Sequence, residues 1–303
     1  MYNGIINIYK EKGFTSHDVV AKMRGILRQK KIGHTGTLDP DATGVLPVCL
    51  GSATKLCDML TDRDKEYEAV MQLGISTDTQ DLSGEVLKEC PVTVTEEEAR
   101  NAILSFIGDY DQIPPMYSAL NVNGKKLYEL ARAGKEVERQ PRAVTIYDIT
   151  ILDMKLPDVT FRVSCSKGTY IRTLCYDIGV KCGCLAAMKS LKRIKAGVFR
   201  EESAITLAEL EKLRDEERVG EVVVPVDHFF EELAPVHIPD EFIKYIKNGN
   251  SFYPQQIKER IGFGDGEDVR VYDEAGRFYG VYTMKRQEGR FVPKKMFLEN
   301  DLK

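Results

Sequence analysis

Apolar positions recur along this chain with two periods, and each period predicts its own elements. Residues 4–9 form a short apolar run that reads as a strand. Thr15 and Asp18 then stand at capping-box spacing, and Val19, Met23, Ile26 and Leu27 share one helical face, so a helix follows and ends in Arg28, Lys30 and Lys31. After Gly51, Leu56 and Leu60 recur at helical spacing. Residues 65–73 alternate, with Tyr67, Ala69, Met71 and Leu73 on one side and Glu66, Glu68 and Gln72 on the other, as in a half-buried strand. Thr95 and Glu98 open a second capped helix that Gly108 closes. Asn121-Val122-Asn123-Gly124 signals a hairpin, with a short helix over 125–133 ending at Gly134. Residues 144–152 and 159–165 predict strands, Leu174, Cys175 and Ile178 the apolar stripe of a helix, and Thr206 the start of another. Near the C-terminus come a short helix over 241–247 and a hairpin around Asp273 to Gly276, with Val269, Val271, Phe278, Val281 and Tyr282 in its strands.

With 303 residues, 43% of them hydrophobic, the chain can bury one large core plus a small one. The turn from basic to acidic sequence after Arg200 and the prolines at 235 and 239 mark where the small one starts, so domains of 1–235 and 236–303 are expected. Seven cysteines without Cys-x-x-Cys spacing argue against a disulfide framework and against a metal site, and a reducing cytoplasm fits them. No apolar run reaches the length of a membrane span. Net charge is −4, yet bases cluster: five in 22–31, six in 125–142 and five in 189–200, against thirteen acids in 201–241. Three basic runs near the candidate chemistry suggest a phosphate-binding surface.

The densest local chemistry lies between Gly33 and Gly51, read as a loop of defined shape with Gly and Pro at fixed intervals. At its centre Asp39 precedes Pro40, which biases it towards extended backbone. Taken alone, an Asp-Pro of this kind is most often a turn residue. Gly33-His34-Thr35-Gly36-Thr37-Leu38-Asp39-Pro40, followed by Ala42-Thr43-Gly44-Val45-Leu46-Pro47, resembles the signature of the TruB family of tRNA pseudouridine synthases, whose Leu-Asp-Pro aspartate is the catalytic carboxylate. Further stretches resemble the same family: Lys65-Glu66-Tyr67, Thr77-Asp78-Thr79-Gln80-Asp81, Lys167-Gly168-Thr169-Tyr170-Ile171-Arg172, and Leu191-Lys192-Arg193 running to Gly197 and Phe199. Two positions depart from the pattern: Glu11 stands where the family has proline, and Lys192 where it has arginine.

The resemblance spans about residues 4–199 and implies an α+β fold: a mixed, mainly antiparallel sheet flanked by helices, with a small C-terminal β-rich module of PUA type. It also implies isomerisation of the T-loop uridine of tRNA (conventional position 55) with no cofactor and no metal. Asp39 would be the catalytic residue. Tyr67, Tyr170, Arg172 and Leu191 would line the pocket, His34 would fill the space left by a flipped nucleotide, and Lys55 would bind substrate. The basic stretch within 112–142, with Tyr117 and Tyr128, resembles the family's RNA-clamping insertion. The expected partner is the T-arm stem-loop of tRNA, with no membrane, no guide RNA and a monomeric protein. Two alternatives stay open at this level: a tRNA-folding protein without catalysis, and a guide-RNA-dependent subunit like those of the related dyskerin group.

Overall fold

A computed structural model describes residues 1–122, 124–259 and 262–298. In chain order the strands of its first part are β1 (Gly4–Lys10), β2 (Ile32–His34), β3 (Thr43–Leu50), β4 (Lys65–Leu73), β5 (Ile75–Thr77), β6 (Val86–Glu89), β7 (Gly108–Gln112), β8 (Asn121–Val122), β9 (Lys125–Lys126), β10 (Arg142–Lys155), β11 (Asp158–Cys165), β12 (Ala186–Ala196) and β13 (Phe199–Arg200). The helices are α1 (Ser16–Ile26), α2 (Cys57–Thr61), α3 (Glu96–Leu104), α4 (Leu127–Arg132), α5 (Ile171–Lys181) and α6 (Leu207–Asp215). Among the described residues nine strands make one mixed sheet in the order β1-β3-β12-β4-β11-β10-β7, with β2 on β3 and β13 on β12. Every pairing is antiparallel except β3 with β12, which touch in parallel only where Thr43 faces Lys192 and Gly44 faces Arg193.

Side-chain alternation explains the layers. Burial along β4 follows the period of two, so Tyr67, Ala69, Met71 and Leu73 face a core shared with Phe161, Val163, Leu174, Cys175 and Ile178 beneath α5. Val19, Val20, Met23 and Ile26 of α1 pack with Leu207 and Leu210 of α6 over β1 and β3. The opposite side chains of those strands, Ile5, Val45 and Cys49, meet Phe199, Phe230, Val281 and Phe297. Capping boxes start α1, α3 and α6, at Thr15, Thr95 and Thr206. Each such cap is worth about 1 kcal/mol.

A second sheet follows, β14 (Ala234–Ile238), β15 (Asp268–Asp273), β16 (Phe278–Lys285) and β17 (Arg290–Met296), with α7 (Ile243–Lys247) against it. It has its own core around Tyr282, Phe252 and Phe291 and makes the small β-rich C-terminal module. β14 runs through residue 235, so the expected division falls inside a strand that pairs with β15.

Other differences are local. The stretch 33–51 is strand, loop and strand, not one loop: Val45, Leu46, Val48 and Leu50 are buried on both faces of β3, a burial pattern that its Gly and Pro content hides. The helix expected after Gly51 is a 3₁₀ turn (Gly51–Leu56) running into α2, and residues 240–247 repeat that form. β8 and β9 pair as the 121–124 signal predicts, while Asn123 lies outside the described residues.

Candidate active site

The loop between β2 and β3 is held on both sides of Asp39. Ser16 Oγ, at the start of α1, accepts from Leu38 N at 2.9 Å and donates to Leu38 O at 3.3 Å, and Leu38 itself is buried. The Pro40 carbonyl accepts from Gly13 N at 2.9 Å and from Lys10 Nζ at 3.0 Å. Lys10 is fully buried, and that burial pushes its pKa down to about 8. Gly44 is required where β3 meets β12: its φ is +103°, and a Cβ there would fall 2.2 Å from the Arg193 carbonyl oxygen.

Asp39 faces Arg172, presented from the first turn of α5. Arg172 Nη2 lies 3.3 Å from Asp39 Oδ2 and 3.4 Å from Oδ1, and Nη1 lies 3.8 Å from Asp81 Oδ2. Arg172 is buried, whereas the Asp39 side chain is 38% exposed and so remains open to a ligand. Burial raises the Asp39 carboxyl pKa above the usual carboxylate value, the Arg172 charge opposes the rise, and the Asp81 charge adds to it. Arg172 also donates to the carbonyls of Tyr117 at 2.7 Å and Thr79 at 3.4 Å, which ties the insertion to the site. Its Nε is buried without a partner among the described residues.

Two residues outside the expected set hold this arrangement. Asp81 accepts from the hydroxyl of Thr79 at 2.8 Å and from Ser83 N at 3.0 Å and lies 3.8 Å from Arg172 Nη1, a basic side chain of the kind that the hydroxyls and carboxylates of 77–81 are able to orient. Gln112 brackets Tyr170, the residue before α5, accepting from Tyr170 N at 2.7 Å and donating to Tyr170 O at 3.0 Å. Tyr110 donates to Asp177 and accepts from Gln112 at 3.1 Å, so β7 orients the start of the helix that carries Arg172. Nothing local in sequence marks Gln112, because its partner is 58 residues away.

Tyr67 is buried one strand from the loop, opposite Arg193, and its hydroxyl pKa is raised mainly by burial. Leu191 packs, partly buried, against the same core cluster as Tyr67, Leu38 and Ala42. Tyr170 is half-buried, and the Arg172 and Asp39 charges both act on it. His34 ends β2, half-buried, with Nδ1 unpartnered among the described residues; burial first, then the Arg193 charge, push its pKa down. Asp41, two residues beyond Asp39, pairs with Lys12 at 3.7 Å. Lys55 stands apart, in the 3₁₀ turn beyond the far end of β3, donating to the Met296 carbonyl of the C-terminal module at 2.7 Å. The basic run 189–200 is largely neutralised within the protein: Lys189 pairs with Asp158 at 2.7 Å, Lys192 with Glu68 and Glu201 at 3.1 Å each, and Lys195 with Glu66 at 2.7 Å, while Arg193 is buried.

Comparison with known proteins shows the family. Residues 24–171 match the profile described as TruB family pseudouridylate synthase (N terminal domain), and 172–231 match tRNA pseudouridylate synthase B C-terminal domain. Residues 234–297 match Pseudouridine synthase II TruB, C-terminal. The tRNA pseudouridine synthase B of Lachnoclostridium phytofermentans is 51% identical over 98% of this chain and 100% of its own length. The chain belongs to the TruB family. The protein of the same name from Alkaliphilus oremlandii is 48% identical over 94% of each chain. Among solved structures, a Cbf5-Nop10-Gar1 complex aligns with a TM-score of 0.69 and 30% identity, covering 98% of this chain and 86% of that one. An H/ACA RNP bound to a substrate RNA containing 2'-deoxyuridine aligns at 0.68 and 28%, with coverages of 98% and 86%. As in the sequence reading, this TruB-family chain joins an α+β catalytic fold to a small β-rich module. No helix among its described residues is long and apolar enough to cross a membrane.

Proposed function

We propose that this protein isomerises the T-loop uridine of tRNA, conventional position 55, to pseudouridine, with Asp39 as the catalytic carboxylate. The observation that carries this reading is the Asp39–Arg172 pair at 3.3 Å, on a loop braced at Leu38 and Pro40 and bordered by Tyr67, Tyr170 and Leu191. Uracil leaves C1′ through N1, rotates, and rejoins through C5; the C5 proton goes to solvent and N1 gains one, so no oxidant or cofactor enters. Asp39 serves either by attacking C1′ or by taking the C2′ proton, and both roles need it ionised, the form that Arg172 favours. Because the reacting atoms are out of reach in a stacked loop, the nucleotide is flipped into the pocket.

In this reading the protein is a monomer acting on the T-arm without a guide RNA. The catalytic unit ends before Ala234, where the C-terminal sheet begins, and that small unit gives RNA a second surface. Lys55 serves at the seam between the two units and not in the uridine pocket. Purified protein mixed with a bare T-arm hairpin is expected to form pseudouridine at position 55 alone. A requirement for a second RNA would assign the chain to the guided type, and hairpin binding without modification would leave only the RNA-folding reading.

His34 has a stacking role in this scheme. Burial and the Arg193 charge lower its pKa, which favours the neutral ring that packs against a base. Stacking of this kind is worth ~1–3 kcal/mol, or about ten- to a hundredfold. His34→Ala is therefore expected to lower hairpin binding or turnover by that factor, and His34→Phe to recover part of it. Rates for the three proteins across pH check this; a phenylalanine variant as inactive as Asp39→Asn would place His34 in the chemistry instead.

A further inference from the structure

Arg193 is a buried cation to which the mechanism above gives no part. It sits in β12 with Gly44 of β3 on one side and Tyr67 of β4 on the other, and it is 1% exposed. Burying a guanidinium is costly unless its donors are satisfied in good geometry. The hydrogen bonds of Arg193 go to neutral carbonyls: Nε donates to Val45 O at 2.7 Å and Nη2 to Gly36 O at 3.3 Å. Tyr67 is its register partner in β4; burial raises the Tyr67 hydroxyl pKa and the Arg193 charge opposes the rise. Gly36 follows β2 and Val45 lies in β3, on either side of the segment that carries Asp39, so one side chain joins both flanks of that segment to the strand that neighbours Tyr67. A Cβ on Gly36 would stand in ordinary contact, 3.7 Å from Nη1, whereas one on Gly44 would collide with the Arg193 main chain, so the two strands approach closely there.

We propose that Arg193 is a positioning residue for the isomerisation: from a central strand beside Tyr67 it ties together both flanks of the segment that carries Asp39, and so sets where the carboxylate meets the flipped nucleotide. The proposal rests on the reading of Asp39 as the catalytic carboxylate. A planar fork serves separate acceptors at once, which a lysine ammonium of similar charge does not reproduce. Displacing a reacting group by about 1 Å costs roughly a hundredfold in rate.

The test uses full-length Arg193→Lys and Arg193→Gln proteins beside wild type and Asp39→Asn. Single-turnover rate on the T-arm hairpin, hairpin Kd and thermal midpoint are measured, with rates normalised to RNA-binding molecules. The expected result is a rate about a hundredfold lower in both Arg193 variants with Kd within about threefold, the lysine failing to restore what a charge alone would restore. A rate within about threefold of wild type with only a lowered midpoint would show that Arg193 merely stabilises the core, and would overturn the proposal. A Kd loss at unchanged rate, or failure of both variants to fold, overturns it equally. Turnover by Asp39→Asn would instead bring down the Asp39 reading and this proposal with it; an inactive Asp39→Asn beside active Arg193 variants sinks the positioning role alone.

Discussion

Asp39→Asn is expected to form no pseudouridine above background, a loss of roughly 10⁴-fold or more, with hairpin affinity within about threefold of wild type. The substitution keeps the size and the loop. Leu38 is still held by Ser16, Pro40 by Lys10 and Gly13, and Arg172 retains Asp81 and the carbonyls of Tyr117 and Thr79. What disappears is the negative oxygen that, in the proposed chemistry, either attacks C1′ or removes the C2′ proton. The lost pair involves a side chain that is partly exposed, so the fold should survive with a thermal midpoint within a few degrees. Mass-spectrometric detection of pseudouridine after prolonged incubation, beside a binding isotherm and a melting curve, reads all three. Clear turnover by a sequence-verified Asp39→Asn protein would remove Asp39 from the chemistry.

Arg172→Met is expected to lower kcat/KM at neutral pH by roughly 10²- to 10³-fold, the scale of losing one preorganised electrostatic group. Its signature is a shift in pH dependence. Burial and the Asp81 charge already hold the Asp39 pKa above the usual value, and Arg172 is the strongest influence lowering it. In the proposed chemistry Asp39 acts as the carboxylate, so activity is expected to fall as pH drops through that pKa. Without Arg172 the pKa rises further, and the acid limb of kcat/KM moves to higher pH. Arg172→Lys should hold the limb nearer its wild-type place yet recover little rate, because one ammonium does not span Asp39, Asp81, Tyr117 O and Thr79 O. Full pH profiles of the three proteins decide it. An acid limb unmoved in Arg172→Met would mean that Arg172 does not govern the ionisation of Asp39.

The sequence by itself determined the features that depend on near neighbours. Capping boxes at Thr15, Thr95 and Thr206 are four-residue patterns, and each one starts a helix where it occurs. Alternation through residues 65–73 requires only the period of a strand, and it put Tyr67 on the buried face. The Leu38-Asp39-Pro40 loop and the Tyr170–Arg172 junction were legible because backbone chemistry and family signature coincide in short stretches. Side chains whose meaning depends on a distant partner were not legible. In sequence Arg193 is one cation among five between 189 and 200; the register of β12 between β3 and β4 buries it against Gly36 and Val45, about 150 residues earlier in the chain. The same register brings Lys192 to Glu68 and Lys195 to Glu66, which turns an expected phosphate-binding run into internal ion pairs. Lys55, expected at the substrate, donates to the Met296 carbonyl of the C-terminal module, a partner 241 residues away that no local pattern marks. Local periodicity sets which face a residue occupies. Which charge, carbonyl or ring it then meets follows from strand order and register, and those are settled only when the entire sheet is assembled.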